Sequence, residues 1–469
     1  MHNTDTICAI ATAPGGAIGI IRISGPHAIS AVDTLFRPIG HGRPLAERKP
    51  YTLAYGTLVD NEGHAIDEVL CSLFRAPHSY TGDDAVELSC HGSSYIMQHI
   101  MQQLTQCGCR MAGPGEFTQR AFLNGKLDLS QAEAVADLIS ATNKATHDMA
   151  LSQLKGHFSS ELAQLRSQLL ELTSLLELEL DFSDHEELEF ADRTQLRTLA
   201  LRLHQRLATL ASSFEVGNAL KQGIEVAIVG KTNVGKSTLL NRLVHDDKAI
   251  VSDVHGTTRD YIEDVATIHG IQFRFVDTAG LRTTTDTVER IGIERSYQKL
   301  HESRIALWLI DQMPTAAEAA DICQRVAGKP LIVATNKIDQ PGALTPSCLS
   351  MLSAQLEQMA PGIRLSIVGI SAKHGTGIDQ LEQALVAAAD LPHISESDIV
   401  VTSLRHYTAL QRADECLEQV LDAMDMGLSA DLLAEHLRMA LAELGEITGG
   451  QIQSQETLNN IFKNFCIGK

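Results

Sequence analysis

The hydrophobic rhythm changes along the chain, and each change predicts a different kind of element. Residues 1–124 mix short β-like runs, "GAIGIIRISG" and "DDAVELSC", with helical pieces such as "YIMQHIMQQL", punctuated by Gly and Pro. This mixture predicts an α+β domain. Beyond residue 124, Leu151, Leu154, Phe158, Leu162, Leu165, Leu169, Leu172 and Leu176 recur at steps of three or four, lining one face of long packed helices. "DFSDHEELEF" then breaks the stripe with an acidic stretch that reads as a solvated loop, because alternating carboxylates around the lone His185 rarely fix a ligand geometry. Residues 221–390 alternate the apolar runs "IEVAIVG", "IQFRFVD", "IALWLID", "PLIVATN" and "LSIVGI" with helical stretches, the pattern of βα units around a parallel sheet. After "LPHISESD", the stretches "HYTALQRADECLEQVLDAM" and "LLAEHLRMALAELGEI" are again amphipathic helices. The expected plan is an α+β domain (1–124), a helical domain in two segments (125–220 and 391–469), and an α/β domain (221–390) inserted between them.

Length agrees with that plan, since 469 residues at roughly 150 per domain give about three. The 58 acidic residues against 38 Lys and Arg leave a formal charge of −20, which disfavours a broad phosphate-binding surface spread over the protein. Any nucleic acid must meet a local patch or a partner. Nine cysteines follow an N-terminus, "MHNTDTICAI", with neither a basic region nor a long apolar run, so a reducing cytoplasm is expected. Cys107 and Cys109 in "CGCR" have no second Cys/His pair at zinc-ligand spacing. No run of about 18 apolar residues occurs, so no membrane span is expected.

The chemistry is concentrated in the inserted domain. "GKTNVGKS" (Gly230 to Ser237) lies between the apolar "IEVAIV" and the helical "TLLNRLV", the strand–loop–helix setting of a phosphate loop. Gly230 and Gly235 let backbone N–H groups face the phosphates, Lys236 reaches the β and γ oxygens, and Ser237 offers a hydroxyl to Mg²⁺. Asn233, Val234 and Thr238 complete the expected nucleotide contacts of this loop. "NKID" brings Asn336, Lys337 and Asp339, whose carboxylate accepts the ring N–H and exocyclic amine of guanine, a donor pair that adenine lacks. "SAK" (Ser371, Ala372, Lys373) closes over the base, and "DTAG" (Asp277, Thr278, Ala279, Gly280) aims an Asp at the magnesium shell. Between the phosphate loop and "DTAG", "GTTRD" (Gly256 to Asp260) supplies the switch threonine, Thr258, to Mg²⁺. The phosphate-loop match is highly specific, whereas each of the shorter motifs is weak alone; together, in their order along the chain, they specify a GTPase.

Beside these, "IRISG", "GPGEFTQRAFLNGKLDLSQAEAVADLI" (Gly113 to Ile139), "DTAGLR", "VERIGIER" and the terminal "FCIGK" resemble the MnmE (TrmE) family of tRNA modification GTPases over essentially the whole chain. The resemblance implies an N-terminal domain that binds a tetrahydrofolate derivative, in its 5-formyl or 5,10-methylene form, and forms a homodimer. It also implies a discontinuous helical domain and a Ras-like G domain. Such proteins act with the flavoprotein MnmG, which carries FAD, to place an aminomethyl or carboxymethylaminomethyl group at C5 of the tRNA wobble uridine. By the same resemblance, K⁺ replaces an arginine finger and is held by Asn233, Ser252, Val254 and Thr257. Asp253, His255 and Gly256 share that loop around the GTP. Ras-like enzymes carry a water-orienting Gln after the Gly of "DTAG", where this chain has Leu281. Glu289 matches the family's catalytic glutamate, with Arg282 nearby in "DTAGLR". Arg22, Glu87 and Lys126 match folate positions, although the residues alone would read Glu87 as a strand-edge acid and Lys126 as a helix-end charge. Thr232 departs from the proline that many relatives carry, which leaves the phosphate loop less rigid.

The tail "FCIGK" admits three readings: a lipidation box, a reactive thiol held in an active site, or a frayed end. Gly468 and Lys469 suit lipidation poorly, and Phe465 and Ile467 favour docking. The resemblance puts Lys469 at the folate pocket and makes Cys466 a functional residue whose chemical role the sequence leaves open. Two rival functions are a ribosome-assembly switch gripping RNA and a scaffold that recruits the flavoprotein without holding a folate. The first calls for a basic C-terminal RNA domain, whereas residues 391–469 are amphipathic with intermixed acids.

Overall fold

The computed structural model describes residues 5–40, 42–181, 193–245, 263–277, 300–326, 328–391, 398–450, 458, 461–463, 465 and 468. They fall into two units, Met1–Ser140 with Ala150–Ala208 and Thr408–Lys469, and Ala141–Met149 with Thr209–Tyr407. Among the described residues no helix is long and apolar enough to cross a membrane.

In the first unit, short alternating strands build a seven-stranded sheet. β1 (Ile7–Ile10), β2 (Ile18–Ser24), β3 (Phe36–Pro38), β4 (Thr52–Val59), β5 (Ala65–Phe74), β6 (Ala85–His91) and β7 (Arg110–Met111) lie in the order β3-β4-β5-β6-β2-β1-β7. All pairs are antiparallel except β1 with β7. Ile21 and Ile23 of β2 and Val86 and Leu88 of β6 enter a core shared with α1 (Ala28–Leu35) and α2 (Ser94–Gln106). Side chains alternate across a strand, so Arg22 and Glu87, partners in register, lie together on the other face.

After α1 and α2 come α3 (Glu116–Leu123) and α4 (Leu129–Ser140), and two later helices, spanning 144–154 and 193–222, are each shared with the second unit. The leucine stripe from Leu151 to Leu176 is divided between α5 (Lys144–Leu154) and α6 (His157–Asp181). Gly156, at φ +84°, turns the chain between them, a conformation that glycine adopts without strain. Leu162, Leu165, Leu169, Leu172 and Leu176 are all buried, and α6 packs along helix Ala430–Thr448, where Arg438 reaches Glu177 at 2.7 Å. α7 (Arg193–Gln222) follows.

The second unit holds β8 (Ile224–Val229), β9 (Glu263–Ile268), β10 (Ile271–Asp277), β11 (Ile305–Ile310), β12 (Leu331–Thr335) and β13 (Leu365–Gly369). Their order is β13-β12-β11-β8-β10-β9, and all pairs are parallel except β9 with β10. The five apolar runs predicted as parallel strands are β8, β10, β11, β12 and β13. The apolar pattern does not announce β9, because "EDVATI" is half polar; a tight turn through His269 (φ +50°) and Gly270 (φ +80°) folds it back on β10. On one side of the sheet Val226 and Ile228 pack with α8 (Lys236–His245) and helix Ile378–Ala389. On the other, Ala227 and Val229 pack with helices Ala316–Arg325 and Pro346–Met359. Parallel strands end at a common edge, so the segments after β8, β11, β12 and β13 are brought together there.

The first unit is clamped by Arg120 of α3, whose side chain is only 1% exposed. It donates to the Asp5 carbonyl (2.9 Å), the Asp5 carboxylate (2.8 Å) and Glu116 (3.1 Å), while Arg110 reaches the same two carboxylates. Burial pushes the Glu116 carboxyl up, but the hydrogen bonds from Arg110, the Gly113 N–H and Arg120 outweigh it and hold the group below its usual range. A carboxyl depressed by folding adds stability above its unfolded pKa and loses it as the pH falls through the folded value. Arg120→Met should therefore cost about 3 kcal/mol at neutral pH. The parent should also lose part of this contribution below about pH 4. Urea titration by far-UV circular dichroism at both pH values checks this, and equal midpoints for parent and variant at neutral pH contradict it.

Candidate functional site

The loop from β8 to α8 has the backbone that a phosphate cradle needs. Gly230 (φ +156°), Asn233 (φ +65°) and Gly235 (φ +104°) all have positive φ. A Cβ on Gly230 would lie 2.4 Å from the Leu309 carbonyl oxygen, and one on Gly235 would lie 2.3 Å from the Asn336 amide nitrogen, so neither position admits a side chain. Lys236 opens α8 and is buried; its ammonium spans the loop by donating to the carbonyls of Gly230 (2.5 Å) and Lys231 (2.9 Å). Ser237 and Thr238, in the first turn of α8, are exposed, while Val234 packs beneath them in the core.

Asn336, just beyond β12, joins this loop to the turn that carries Ala372 and Lys373. Its Nδ2 donates to the Val234 carbonyl (2.7 Å), and its Oδ1 accepts from the backbone N–H groups of Lys337 (2.8 Å) and Ala372 (3.0 Å). Lys337 adds a second tie: its ammonium donates to the Asn233 carbonyl (3.0 Å) and to Asp311 (2.7 Å). Sequence reasoning misses Asp311; the only signal for it is an acid closing the apolar run "IALWLI". Ser371 is buried and bridges to Thr376, which sets the turn that carries Ala372 and Lys373. The Lys373 side chain is exposed, and its carbonyl accepts from Arg242 (3.1 Å). Asp339 is exposed, and a hydrogen bond with Ser371, helped by the charges of His374 and Lys373, holds its carboxyl below the usual range.

A second constellation lies in the first unit. Arg22 Nε donates to Glu87 (2.8 Å), and Nη1 donates to the carbonyl of Gly468 (2.9 Å), near the chain's other end. The guanidinium sits 5.8 Å from the ring centre of Tyr80 and 5.7 Å from that of Phe117. Tyr80 is fixed through its hydroxyl, 2.8 Å from Thr118. The tail is packed: Phe462 is buried against Phe465, and a Cβ on Gly468 (φ +95°) would lie 2.7 Å from the Ile10 carbonyl oxygen. Lys126 hydrogen-bonds not to Arg22 or Glu87 but to the Pro77 carbonyl (3.1 Å), three residues before Tyr80.

Comparison with known proteins decides the family. The family model described as "MnmE helical domain" matches residues 129–466, and "GTP-binding protein TrmE N-terminus" matches residues 6–126. The protein named tRNA modification GTPase MnmE in Phocaeicola vulgatus is 51% identical, and that of Bacteroides fragilis strain YCH46 is 52% identical, each alignment covering 100% of both chains. The chain belongs to the MnmE family. That of Porphyromonas gingivalis is 47% identical over 100% of this chain and 98% of its own. Among solved structures, a point variant of Aquifex aeolicus Era bound to GDP and aluminium fluoride is 32% identical, covering 41% of this chain and 66% of that one, at a TM-score of 0.28.

In this MnmE-family chain the residues present fit the groups expected, as far as they are described. Ser237 presents an exposed hydroxyl beside the phosphate loop, which suits one Mg²⁺ ligand, and Asn233 presents an exposed side chain where a K⁺ ligand is expected. The Arg22–Glu87 pair sets a donor and an acceptor beside two aromatic rings, a combination that suits a flat heterocycle such as a pterin. Asp277 ends β10, paired in register with Ile228 of β8. Ser252, Asp253, Val254, His255, Gly256, Thr257, Thr258, Thr278, Ala279, Gly280, Arg282, Glu289, Cys466 and Lys469 lie outside the described residues.

Base choice through Asp339 is directly testable. Asp339→Asn replaces an acceptor by an amide that also donates, which mismatches guanine and matches xanthine. GTP affinity should fall by at least on the order of 100-fold, and xanthosine triphosphate should become the better ligand. Fluorescent-nucleotide competition measures both, and an unchanged preference for GTP contradicts the assignment.

Proposed function

We propose that this GTPase works as a homodimer with the flavoprotein MnmG in the cytoplasm. Together they would install an aminomethyl or carboxymethylaminomethyl group at C5 of the tRNA wobble uridine. A tetrahydrofolate derivative supplies the one-carbon unit, and FAD stays on the partner. The observation that carries the reading is the match to the tRNA modification GTPases across the whole chain. Asn336, which ties the phosphate loop to the "SAK" turn, supports the choice of a guanine nucleotide.

In this reading, backbone N–H groups of residues 233–238 and Lys236 hold the phosphates, while Asp339 accepts the guanine edge. Ser237 and Thr258 orient Mg²⁺, and Asn233, Ser252, Val254 and Thr257 hold K⁺. When bound, these cations supply positive charge where negative charge develops on the leaving phosphate. Leu281 has no polar atom to orient water, so Glu289 takes that role through hydrogen bonds, with Arg282 nearby. At the other site, Glu87 accepts from the donor edge of the pterin, and Arg22, Lys126 and Lys469 meet its acceptors and its acidic tail. Cys466 is read, by the family resemblance, as a further functional residue. The nucleotide and folate residues sit in separate units, which favours hydrolysis as a conformational drive over direct carbon chemistry.

GTPase rates at matched ionic strength test the core of this reading. Potassium chloride should exceed sodium chloride by on the order of tenfold, and Glu289→Ala should abolish turnover while GTP binding persists. Equal rates in the two salts remove the cation mechanism, and an undiminished Glu289→Ala rate removes the role of that carboxylate.

A further inference from the structure

The chain carries a formal charge of −20, so a polyanion can approach it only at a place where positive charge is gathered and left uncompensated. One such place lies at the β3 edge of the first sheet. Between Arg37 and Tyr51, "RPIGHGRPLAERKPY", the sequence holds four Arg and Lys and one acid, Glu47, and the carboxylate of Asp33 reaches the same turn by accepting from the Leu45 N–H at 2.7 Å. Elsewhere in this unit arginines typically close on carboxylates: Arg110 and Arg120 on Asp5 and Glu116, Arg197 on Asp425, Arg206 on Glu161, and Arg438 on Glu177.

Here the tethers are backbone carbonyls. Arg37 donates to the carbonyl of Thr34 (2.9 Å), Arg48 to that of Arg43 (3.0 Å), and Arg75 to that of Ala46 (2.7 Å). A carbonyl orients a guanidinium without neutralising it, so the positive charge remains for a ligand. Arg43 and Lys49 are exposed, and among the described residues neither has an ion-pair partner. Arg75 draws the end of β5 onto the same short turn, Leu45–Glu47, and Gly42 leaves room for Arg48, whose Nη2 would lie 2.9 Å from a Cβ there. Pro38, Pro44 and Pro50 restrict the segment before any ligand arrives. Tyr51, 66% exposed, closes it, anchored through its hydroxyl to the His78 carbonyl at 2.7 Å. Oriented, unneutralised guanidinium groups beside a held and exposed aromatic ring are the components of an RNA-backbone site with a stacking platform.

We propose that Arg43, Arg48 and Lys49, with Arg75 and Tyr51, form a surface that binds the phosphate backbone of the substrate tRNA. The proposal rests on the tRNA-modification reading and names where the RNA meets this chain. Arg43 and Lys49 belong to neither the nucleotide nor the folate constellation, so Arg43→Ala/Lys49→Ala should leave basal GTP hydrolysis unchanged.

The test uses the full chain with its flavoprotein partner and a tRNA transcript bearing an unmodified wobble uridine, with binding followed by fluorescence anisotropy at several salt concentrations. The double alanine variant should bind roughly tenfold more weakly at low salt, with the slope of log affinity against log salt reduced by about 2. Arg43→Lys/Lys49→Arg should restore both. Undiminished tRNA binding by the alanine variant, while the parent complex binds and modifies tRNA, overturns the patch and leaves the function intact. A variant that loses the flavoprotein and keeps tRNA also overturns it, assigning the surface to a protein contact. Failure of the parent complex to bind or modify tRNA overturns the proposal together with the reading beneath it.

Discussion

The nucleotide pocket depends on the side-chain amide of Asn336. Its donor satisfies the Val234 carbonyl in the phosphate loop, and its acceptor gathers the N–H groups of Lys337 and Ala372. Three segments that are far apart in sequence thereby share one planar group at the carboxyl edge of the sheet. Each of these hydrogen bonds is modest, but breaking them in a buried place leaves donors and acceptors unpaired, and that cost is larger than the gain from forming them. Gly235 is part of the same constraint, since a Cβ there would collide with the Asn336 amide nitrogen. The Lys337–Asp311 ion pair, partly buried, then holds Lys337 against the Asn233 carbonyl and steadies the positive-φ residue beside it.

The first unit uses the same economy at a larger separation in sequence. Arg22 bonds to Glu87 across a strand pair and to Gly468 near the far end of the chain, so one guanidinium links the sheet to the tail. The tail can pass so close to β1 because residue 468 is a glycine; a side chain would strike the Ile10 carbonyl. The packed Phe462 and Phe465 remove the frayed-end reading of the described tail residues. They set a packed tail beside the Arg22–Glu87 pair, which reaches it through the Gly468 carbonyl.

Much of the fold was legible because the physics behind it is local. Continuous apolar runs mark strands buried on both faces, and the phosphate loop is readable because turn, helix start and lysine must follow one another within eight residues of "GKTNVGKS". The illegible parts depend on partners or on single backbone angles. β9 is a half-polar edge strand defined by its pairing with β10, and the division between α5 and α6 at Gly156 leaves the three-and-four periodicity of the leucines untouched. Asp311 matters only because the sheet order places β11 next to β12, which brings it to Lys337. Nor does spacing reveal that Lys126 bonds to Pro77, or that Arg48 and Arg75 are held by backbone carbonyls near residue 45.

The direct test of the pocket's organisation is the dissociation constant of GDP for Asn336→Ala, measured with a fluorescent nucleotide beside a circular dichroism melt of the same protein. Losing the amide leaves the Val234 carbonyl and the Ala372 N–H without their partner, so affinity should fall by roughly 100-fold while the helical content of the fold is retained. Affinity within twofold of the parent would contradict the claim that this side chain holds the phosphate and base loops as one site.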